Sequence, residues 1–285
     1  MWNITFNLVI YLEILYRGDR SPMKRRIFLI LGCFLLIYEI VQPIATAEAN
    51  PDQRAYHFGF KKSKNGQLPS INEEGFKSIL EKHGAIFLGD TNQKDIYLTF
   101  DNGYENGYTA KILDILKEKK VPSIFFVTGH YVKDKPELVQ RMVSEGHIVG
   151  NHSWSHPDVT LISNDQLKSE LLKVKTAVAD LTSQKEMTFL RAPRGIFNES
   201  MLASSRIEGY TNVFWSVAYK DWDPDTQRGS QYAYTQVMNQ LHPGAVILLH
   251  SVSKDNTEAM VQMIDDARKL GYEFKSLTEM QKKTY

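Results

Sequence analysis

The sequence contains a single cysteine, almost no net charge and no recognisable phosphate-binding loop. The cysteine is Cys33, so the chain after the first fifty residues has no disulfide and no thiol nucleophile, and its stability must come from its core. The formal net charge of +1 over 285 residues provides no polybasic surface for nucleic acid. Glycine-rich loops after apolar runs and serine elbow motifs are both missing, which argues against nucleotide binding and covalent acyl transfer.

The first 47 residues have the organisation of a secretory leader. The basic segment Met23-Lys24-Arg25-Arg26 precedes an apolar run from Ile27 to Val41 and the small residues Ala45-Thr46-Ala47, which is the order of a signal peptide and its cleavage site. We expect translation to start at Met23 and the mature chain to start near Glu48. The run is short for a membrane span, which needs about 20 apolar residues. An uncleaved membrane anchor is the alternative interpretation. The sequence predicts a protein that is secreted or lies on the cell-envelope side of the membrane.

Two further parts follow the leader. Residues 48–94 are polar and irregular, and we interpret them as an N-terminal extension packed on the main domain, with one amphipathic helix near Asn72 to His83. In residues 95–285, apolar runs alternate with helical periodicity. The runs are Ile96–Phe100, Val121–Val127, His147–Asn151, Phe189–Ala192, Asn212–Val217, Ala245–His250 and Tyr272–Leu277. This pattern predicts an α/β fold, a distorted (β/α) barrel of about seven parallel strands, with an open doubly wound sheet as the alternative.

Local signals place several helix ends. Ser163 and Gln166 occupy the positions of a capping box before a long helix, and Pro136 suits a first helical turn. Three glycines, at Gly146, Gly209 and Gly271, come where a helical pattern stops and a strand pattern starts. Glycine there supplies the left-handed residue that ends a helix.

Polar side chains lie at or near the carboxyl ends of five of the apolar runs. In chain order they are Asp101-Asn102, His152 and His156, Arg191, Asp221-Trp222, and His250. The carboxyl ends of parallel barrel strands meet at one mouth, so we expect these groups to lie together.

Each group has a structural and a functional interpretation. His152 and His156 would share one side of a helical turn and, with an oxygen donor nearby, suit a catalytic metal site; an isolated pair would more often be surface or capping histidines. Arg191 needs an anionic partner at a barrel mouth, and Asp101 is the natural candidate. His250 is about equally consistent with a catalytic histidine and a satisfied core histidine, and Asp221 could orient its ring.

Together these residues resemble the motifs of the polysaccharide deacetylases with NodB homology, carbohydrate esterase family 4. The resemblance extends from about Asp95 to Leu277. Thr99-Phe100-Asp101-Asn102-Gly103 resembles TFDDG, His152 to His156 resembles HSxxH, Arg191 to Gly195 resembles RxPxG, Asp221-Trp222 resembles the end of DxxDW, and Leu248-Leu249-His250 resembles LxH. Within the family the chain is most similar to the delta-lactam-biosynthetic de-N-acetylases of spore-forming bacteria, which remove acetyl groups from N-acetylmuramic acid in peptidoglycan.

The resemblance implies a role for each residue. Asp101 is then the general base and His250 the general acid, with Arg191 keeping Asp101 ionised and Asp221 orienting His250. The backbone N–H of Tyr104 would meet the oxyanion.

The resemblance also implies a divalent metal, with zinc expected, and the sequence departs from the family pattern there. The ligands would be Asn102, His152 and His156. Asn102 replaces the carboxylate of the family motif, so the metal is expected to be weak, exchangeable or dispensable. Ala218 replaces the first Asp of DxxDW, which puts any role of that position in doubt.

The substrate expectation follows from the same residues. We expect hydrolysis of N-acetyl groups on peptide-free muramic residues of peptidoglycan strands, as in muramic delta-lactam formation in spore cortex, by a monomer. Arg194 would bind the lactyl carboxylate, and Trp222 and Tyr104 would stack on sugar rings unless they belong to the core. A deacetylase of N-acetylglucosamine polymers and an inactive glycan-binding module are the alternatives. A glycosidase is less suitable, because each aspartate has a cationic partner.

Overall fold

A parallel sheet forms the centre of this computed structural model, which describes residues 53–64 and 67–280. The sheet consists of β2 (Asp95–Asn102), β3 (Ser123–Val127), β4 (Ile148–Asn151), β5 (Phe189–Leu190), β7 (Thr211–Asn212), β8 (Val246–His250) and β9 (Glu273–Phe274). Its order is β7-β5-β4-β3-β2-β8, with β9 paired to the start of β2. Each predicted apolar run contains or overlaps one of these strands, so the predicted parallel (β/α) architecture is confirmed. The predicted leader lies outside the described residues.

Helices connect the strands. They are α1 (Lys77–Lys82), α2 (Thr109–Lys119), α3 (Gly129–Asp134), α4 (Pro136–Ser144), α5 (Asn164–Leu181), α6 (Glu199–Ile207), α7 (Ser230–Met238) and α8 (Lys254–Lys269). The capping box is present, since Ser163 Oγ accepts from the Gln166 N–H and Gln166 Oε1 accepts from the Ser163 N–H. Within the described ranges, no helix is long and apolar enough to span a bilayer.

The predicted helix start at Pro136 and the three predicted helix ends at glycine are present, but the helix predicted near residues 72–83 differs. Pro136 starts α4, and Gly146, Gly209 and Gly271 all have positive φ near 86° (87°, 87° and 85°). The single helix expected near residues 72–83 is wrong. A 3₁₀ turn at Asn72–Glu74 and α1 are separate, because Gly75 has φ 76° between them and breaks the helical path.

The barrel is closed by single bridges rather than by long strands. Val217 pairs with Ile247 of β8, and Ile86 pairs with Val213, just after β7. The short strands β5 and β7 contribute two residues each, so the curled sheet depends on these flanking segments for its closure.

Side chains of the sheet lie on two faces. The inner face, toward the barrel interior, carries a small cluster that includes Tyr97, Phe126, Phe189 and Val246. The outer face, toward the helices, carries the larger cluster that includes Phe100. Because strand side chains alternate, consecutive residues of β2 and β8 point to opposite faces.

Residues before β2 contact the sheet through aromatic side chains. Phe58 stacks on Phe214 with ring centroids 4.5 Å apart, and its N–H donates to the Gly195 carbonyl. The strand β1 (Tyr56–His57) pairs antiparallel with β6 (Ile196–Phe197). The division of the chain at residues 48 and 95 stays a prediction.

A buried histidine next to the closure gives the fold a pH dependence. His242 Nδ1–H donates to the Pro243 carbonyl, and its Nε2 accepts from Ser216 Oγ at 2.9 Å. Ser216 Oγ in turn accepts from the Val246 N–H. The hydroxyl hydrogen of Ser216 is therefore directed at the neutral imidazole of His242. Burial lowers the pKa of His242 to about 4.

The unfolded chain therefore binds one more proton than the folded chain between pH 6.5 and about 4, and this contribution to stability is lost as the pH falls through that window. The loss for His242 is up to about 3 kcal/mol, at about 1.4 kcal/mol per pKa unit. Denaturant unfolding from pH 7 to 4 should show a shallower decline for His242→Gln than for the wild type. Parallel declines would contradict the assignment, because every other titrating group is common to both proteins.

Candidate active site

Four polar side chains project from the inner face where the strands end. Asp101 lies on the same side of β2 as Tyr97, and His250 on the same side of β8 as Val246, and these two residues are paired across the ladder. His152 follows β4 and Arg191 follows β5. The predicted gathering of these groups at one mouth is present.

Asp101 and Arg191 form a buried ion pair. Arg191 Nη1 donates to Asp101 Oδ1 at 2.8 Å, and the arginine is fully buried. Its Nε donates to the Val213 carbonyl at 3.0 Å, and its Nη2 donates to the Phe214 carbonyl at 3.4 Å. The guanidinium also lies 4.3 Å from the Phe126 ring centroid. These contacts supply the partners that a buried charge requires.

The surroundings of Asp101 favour its ionised form. Burial by itself would raise the pKa of this carboxyl, but the charge of Arg191, with smaller contributions from His152 and His250, outweighs it and lowers the pKa. Oδ1 is engaged by Arg191, whereas Oδ2 lies 3.7 Å from His152 Nε2. Oδ2 is thus the oxygen of Asp101 available to a ligand in the mouth.

His152 is fixed by the strand next to its own. Its Nδ1–H donates to the Arg191 carbonyl at 2.9 Å, which leaves Nε2 with a lone pair directed toward the mouth. Burial lowers the pKa of His152 despite the nearby Asp101. The neutral tautomer that results is the form that can coordinate a metal or accept a hydrogen bond.

The expected helical turn from His152 to His156 is wrong. Ser153 and His156 have φ values of 63° and 56°, so the segment is a tight loop. It is held because the Ser153 N–H donates to Asn151 Oδ1 and the His156 N–H donates to Ser153 Oγ. The two imidazole rings nevertheless lie together, with centroids 4.9 Å apart. Burial lowers the pKa of His156 to about 4.

A glycine of the neighbouring strand-to-helix turn supports this loop. The Gly129 N–H, at the start of α3, donates to the Trp154 carbonyl at 3.0 Å. The Trp154 ring packs so closely on Gly129 that a Cβ there would lie 2.2 Å from it. On the other side, the Ser155 N–H donates to Glu170 Oε2 of α5.

His250 is held by Asp221 on two atoms. Its Nδ1–H donates to Asp221 Oδ1 at 2.7 Å, and its backbone N–H donates to Oδ2 at 2.8 Å. Asn256 of α8 also donates to Asp221 Oδ2, at 2.6 Å. Burial alone would lower the pKa of His250, but the Asp221 charge and hydrogen bond outweigh it and raise the pKa. The imidazole presents Nε2 away from Asp221.

The predicted substrate-binding side chains are more exposed. Tyr104 is 42% exposed and Trp222 is 53% exposed, so neither belongs to the core. The Arg194 side chain is also about half exposed and lies 3.9 Å from Asp158. Its backbone is left-handed, with φ 58°.

Asn102 lies apart from the two histidines. It is on the outer face, where its Nδ2 donates to Thr109 Oγ1 and its Oδ1 accepts from Ser251 Oγ. His152 and His156 are at the inner mouth. In the described ranges, no group of three or more histidine, cysteine, aspartate or glutamate side chains is spaced to hold a metal ion. The side chains therefore fit the implied metal only in part, through the two imidazoles.

Two supporting residues escaped the sequence interpretation. Asn256, which fixes Asp221, lies three residues after Ser253, the N-cap of α8, and its only sequence signal is that capping position. Glu105 caps the start of α2, accepting from the N–H groups of Gly107 and Thr109. A glutamate four residues before a helix start is a weak capping signal of the same kind.

Breaking the buried ion pair between Arg191 and Asp101 should lower the stability of the fold strongly. Arg191→Met leaves Asp101 charged and unpaired, and should cost about 3–5 kcal/mol of unfolding free energy. Adding Asp101→Asn removes the leftover charge, so the double variant should be more stable than Arg191→Met alone. Denaturant unfolding measures both. Lys175→Met, which breaks an exposed pair with Glu186, is the control and should cost under about 1 kcal/mol; an Arg191→Met loss no larger than that would contradict the assignment.

The sequence and the fold have counterparts among known proteins. Residues 88–213 match the family described as Polysaccharide deacetylase. Over 236 residues the chain is 50% identical to the peptidoglycan-N-acetylmuramic acid deacetylase PdaA of Bacillus subtilis, covering 83% of this chain and 89% of that protein. The structure of Bacillus subtilis PdaA, a family 4 carbohydrate esterase, matches with a TM-score of 0.78 and 49% identity, over 80% of this chain and 97% of that one.

A second solved structure gives the same result. A family 4 carbohydrate esterase of Bacillus anthracis matches with a TM-score of 0.67 and 48% identity, over 80% of this chain and 96% of that one. On these similarities the chain belongs to the polysaccharide deacetylases of carbohydrate esterase family 4.

Proposed function

We propose that this enzyme hydrolyses the N-acetyl group of N-acetylmuramic acid residues in peptidoglycan. The observation that carries the proposal is the pair of supported groups facing one mouth, Asp101 held by Arg191 and His250 held by Asp221. The similarity to a peptidoglycan-N-acetylmuramic acid deacetylase over most of the chain supports the choice of substrate. A module that only binds glycan would need neither pair.

Asp101 acts as the general base. Its Oδ2, left free by Arg191, accepts a proton from water as the water oxygen forms a bond to the acetamide carbonyl carbon. Arg191 keeps the carboxylate ionised and holds its orientation. The carbonyl oxygen gains negative charge in this step, and the backbone N–H of Tyr104 is our candidate to stabilise it.

His250 acts as the general acid. When the carbon–nitrogen bond of the tetrahedral intermediate breaks, Nε2 of the imidazolium donates its proton to the departing amine. Asp221 holds Nδ1–H, which fixes the ring orientation and stabilises the charged form. The products are acetate and the free amino sugar.

We also propose that the enzyme uses a divalent metal, and zinc is the expected ion. Family membership supports a metal, and His152 and His156 are the side chains that would hold it, because neutral imidazoles are common zinc ligands. The family pattern predicts Asn102 as the third ligand, but its amide is engaged by Thr109 and Ser251 on the outer face, so we assign the metal contact to the two imidazoles. The two proton transfers above depend on the protein groups alone.

Arg194 is our candidate for substrate selection. A muramic residue without a peptide ends its lactyl ether in a carboxylate, which an arginine can bind through two parallel hydrogen bonds. Arg194 lies in a left-handed conformation that glycine would adopt at less cost, and its side chain is half exposed.

The exposed aromatic side chains complete the proposed glycan contact. Trp222 follows Asp221 directly, and Tyr104 lies three residues after Asp101, so both are close in sequence to residues of the proposed site. Aromatic faces of this kind stack on sugar rings, and we assign them to glycan binding.

We also propose the cellular setting. The leader motif supports export, and the similarity to the de-N-acetylases of spore formers supports action on cortex peptidoglycan during sporulation. The partner would be glycan strands with peptide-free muramic residues, bound by a monomer.

Acetate release tests the proposed activity directly. The purified protein is incubated with peptide-free muramic-containing glycan strands and with an N-acetylglucosamine oligomer, each with chelator and with added zinc. We expect release from the first substrate, and a loss of about 10²-fold or more in Asp101→Asn and in His250→Ala. Equal or greater release from the oligomer would identify a glucosamine deacetylase, and binding without any release would identify a glycan-binding module.

A second assay tests the selecting arginine. Arg194→Ala should reduce the preference for muramic over glucosamine substrates by about 10- to 100-fold, because a hydrogen bond to a charged group contributes about 1.5–3 kcal/mol. Arg194→Lys keeps the charge but cannot form two parallel hydrogen bonds, so its preference for muramic substrates should lie between those of the wild type and Arg194→Ala. Arg206→Ala, at an exposed arginine on α6 bonded to the Lys82 carbonyl, is the control. An unchanged preference in Arg194→Ala would reject the assignment.

A further inference from the structure

A side-chain hydrogen bond joins the two strands that carry the proposed base and acid. Asp101 and His250 are paired residues of β2 and β8, and the next residues, Asn102 and Ser251, both face outward. Ser251 Oγ–H donates to Asn102 Oδ1 at 3.1 Å. Asn102 is fully buried and Ser251 is 1% exposed, so water does not compete for this bond.

The bond belongs to a polar network with defined directions. Asn102 Nδ2 donates to Thr109 Oγ1, whose own hydrogen is donated to Glu105 Oε2. Tyr131 O–H also donates to Glu105 Oε2. The chain of donors therefore runs from Ser251 through Asn102 to the Glu105 carboxylate.

This direction requires an amide at position 102. The amide nitrogen of Asn102 meets the lone pair of Thr109 Oγ1, because the Thr109 hydrogen is already engaged by Glu105. A carboxylate in the same place would put two acceptors in contact and a second negative charge near Glu105. The outer pocket is thus built for asparagine.

The same contacts separate Asn102 from the metal position that the family pattern implies. Both functional ends of its amide are engaged on the outer face, whereas the imidazoles of His152 and His156 lie at the inner mouth. To reach them, Asn102 would have to give up its bonds to Thr109 and Ser251.

We propose that Asn102 and Ser251 are positioning residues that set the spacing between the base Asp101 and the acid His250. The proposal rests on the roles assigned to those two groups above. The side chains of Asn102 and Ser251 fasten the ends of β2 and β8 on the outer face. The side chains of Asp101 and His250, one residue earlier on the inner face, are then held at a fixed separation.

The experiment compares Asn102→Ala, Ser251→Ala and their double variant in the whole protein. Each single variant should lower kcat for acetate release by about tenfold with KM within about twofold, because misplaced groups weaken the reaction more than substrate binding. The double variant should be no more than about twofold slower than the slower single variant, which is the sign of a shared interaction.

Ser205→Ala is the matched control. Asn212 Nδ2 donates to Ser205 Oγ at 2.8 Å, and both residues are buried, so this variant removes a buried serine–asparagine bond that joins α6 to β7 and involves neither β2 nor β8. It should lower the unfolding temperature about as much as Ser251→Ala while keeping the wild-type kcat.

Two readouts do not need turnover. Zinc affinity, measured by calorimetric titration, should be the same in the wild type, Asn102→Ala and Ser251→Ala. The His250 Nδ1–H proton resonance should move in both of these variants and stay in place in Ser205→Ala. This resonance separates the two proposals, because it reports His250 placement even if the wild type releases no acetate.

Two results would overturn the positioning role. One is a loss of zinc affinity in Asn102→Ala with Ser251→Ala unchanged, which would make Asn102 a metal ligand. The other is a Ser251→Ala variant with wild-type kcat and an unmoved His250 resonance.

Discussion

The ion pair between Arg191 and Asp101 is the constraint around which the barrel mouth is arranged. A guanidinium with no exposed surface needs acceptors close to its N–H groups. Asp101 accepts from Nη1, and the carbonyls of Val213 and Phe214 accept from Nε and Nη2. The Arg191 carbonyl in turn accepts from His152. One residue therefore connects β2, β4, β5 and the segment after β7, and the positions of the imidazole and the carboxylate follow from it.

The two faces of the sheet have different roles at the site. Inner-face residues form the proposed site, and outer-face residues next to them in sequence hold the strand ends to the helices. Asn102 bonds Thr109 of α2, and Asn151 bonds the Leu171 carbonyl of α5. Asparagine suits this layer because its amide both donates and accepts without adding a charge to a buried position.

The sequence was sufficient for the architecture, because alternating apolar runs and glycine-terminated helices report directly on local structure. It was also sufficient for the Asp101–Arg191 and Asp221–His250 pairs, since strand ends of a parallel barrel converge. It failed at the loop from His152 to His156, where spacing suggested a helical turn. That conformation depends on Gly129 and Glu170, which are distant in sequence. The contribution of Asn256 was hidden for the same reason.

The manner of barrel closure also bears on how the protein folds. The segment that completes the barrel, at Val213 and Phe214, is the segment whose carbonyls hold Arg191. An intermediate with β2 to β4 formed and that segment undocked would contain most of the parallel ladder. It would nevertheless lack the acceptors that keep a guanidinium beside Asp101. The buried ion pair of Asp101 therefore depends on the docking of that segment, and its presence reports that the barrel is complete.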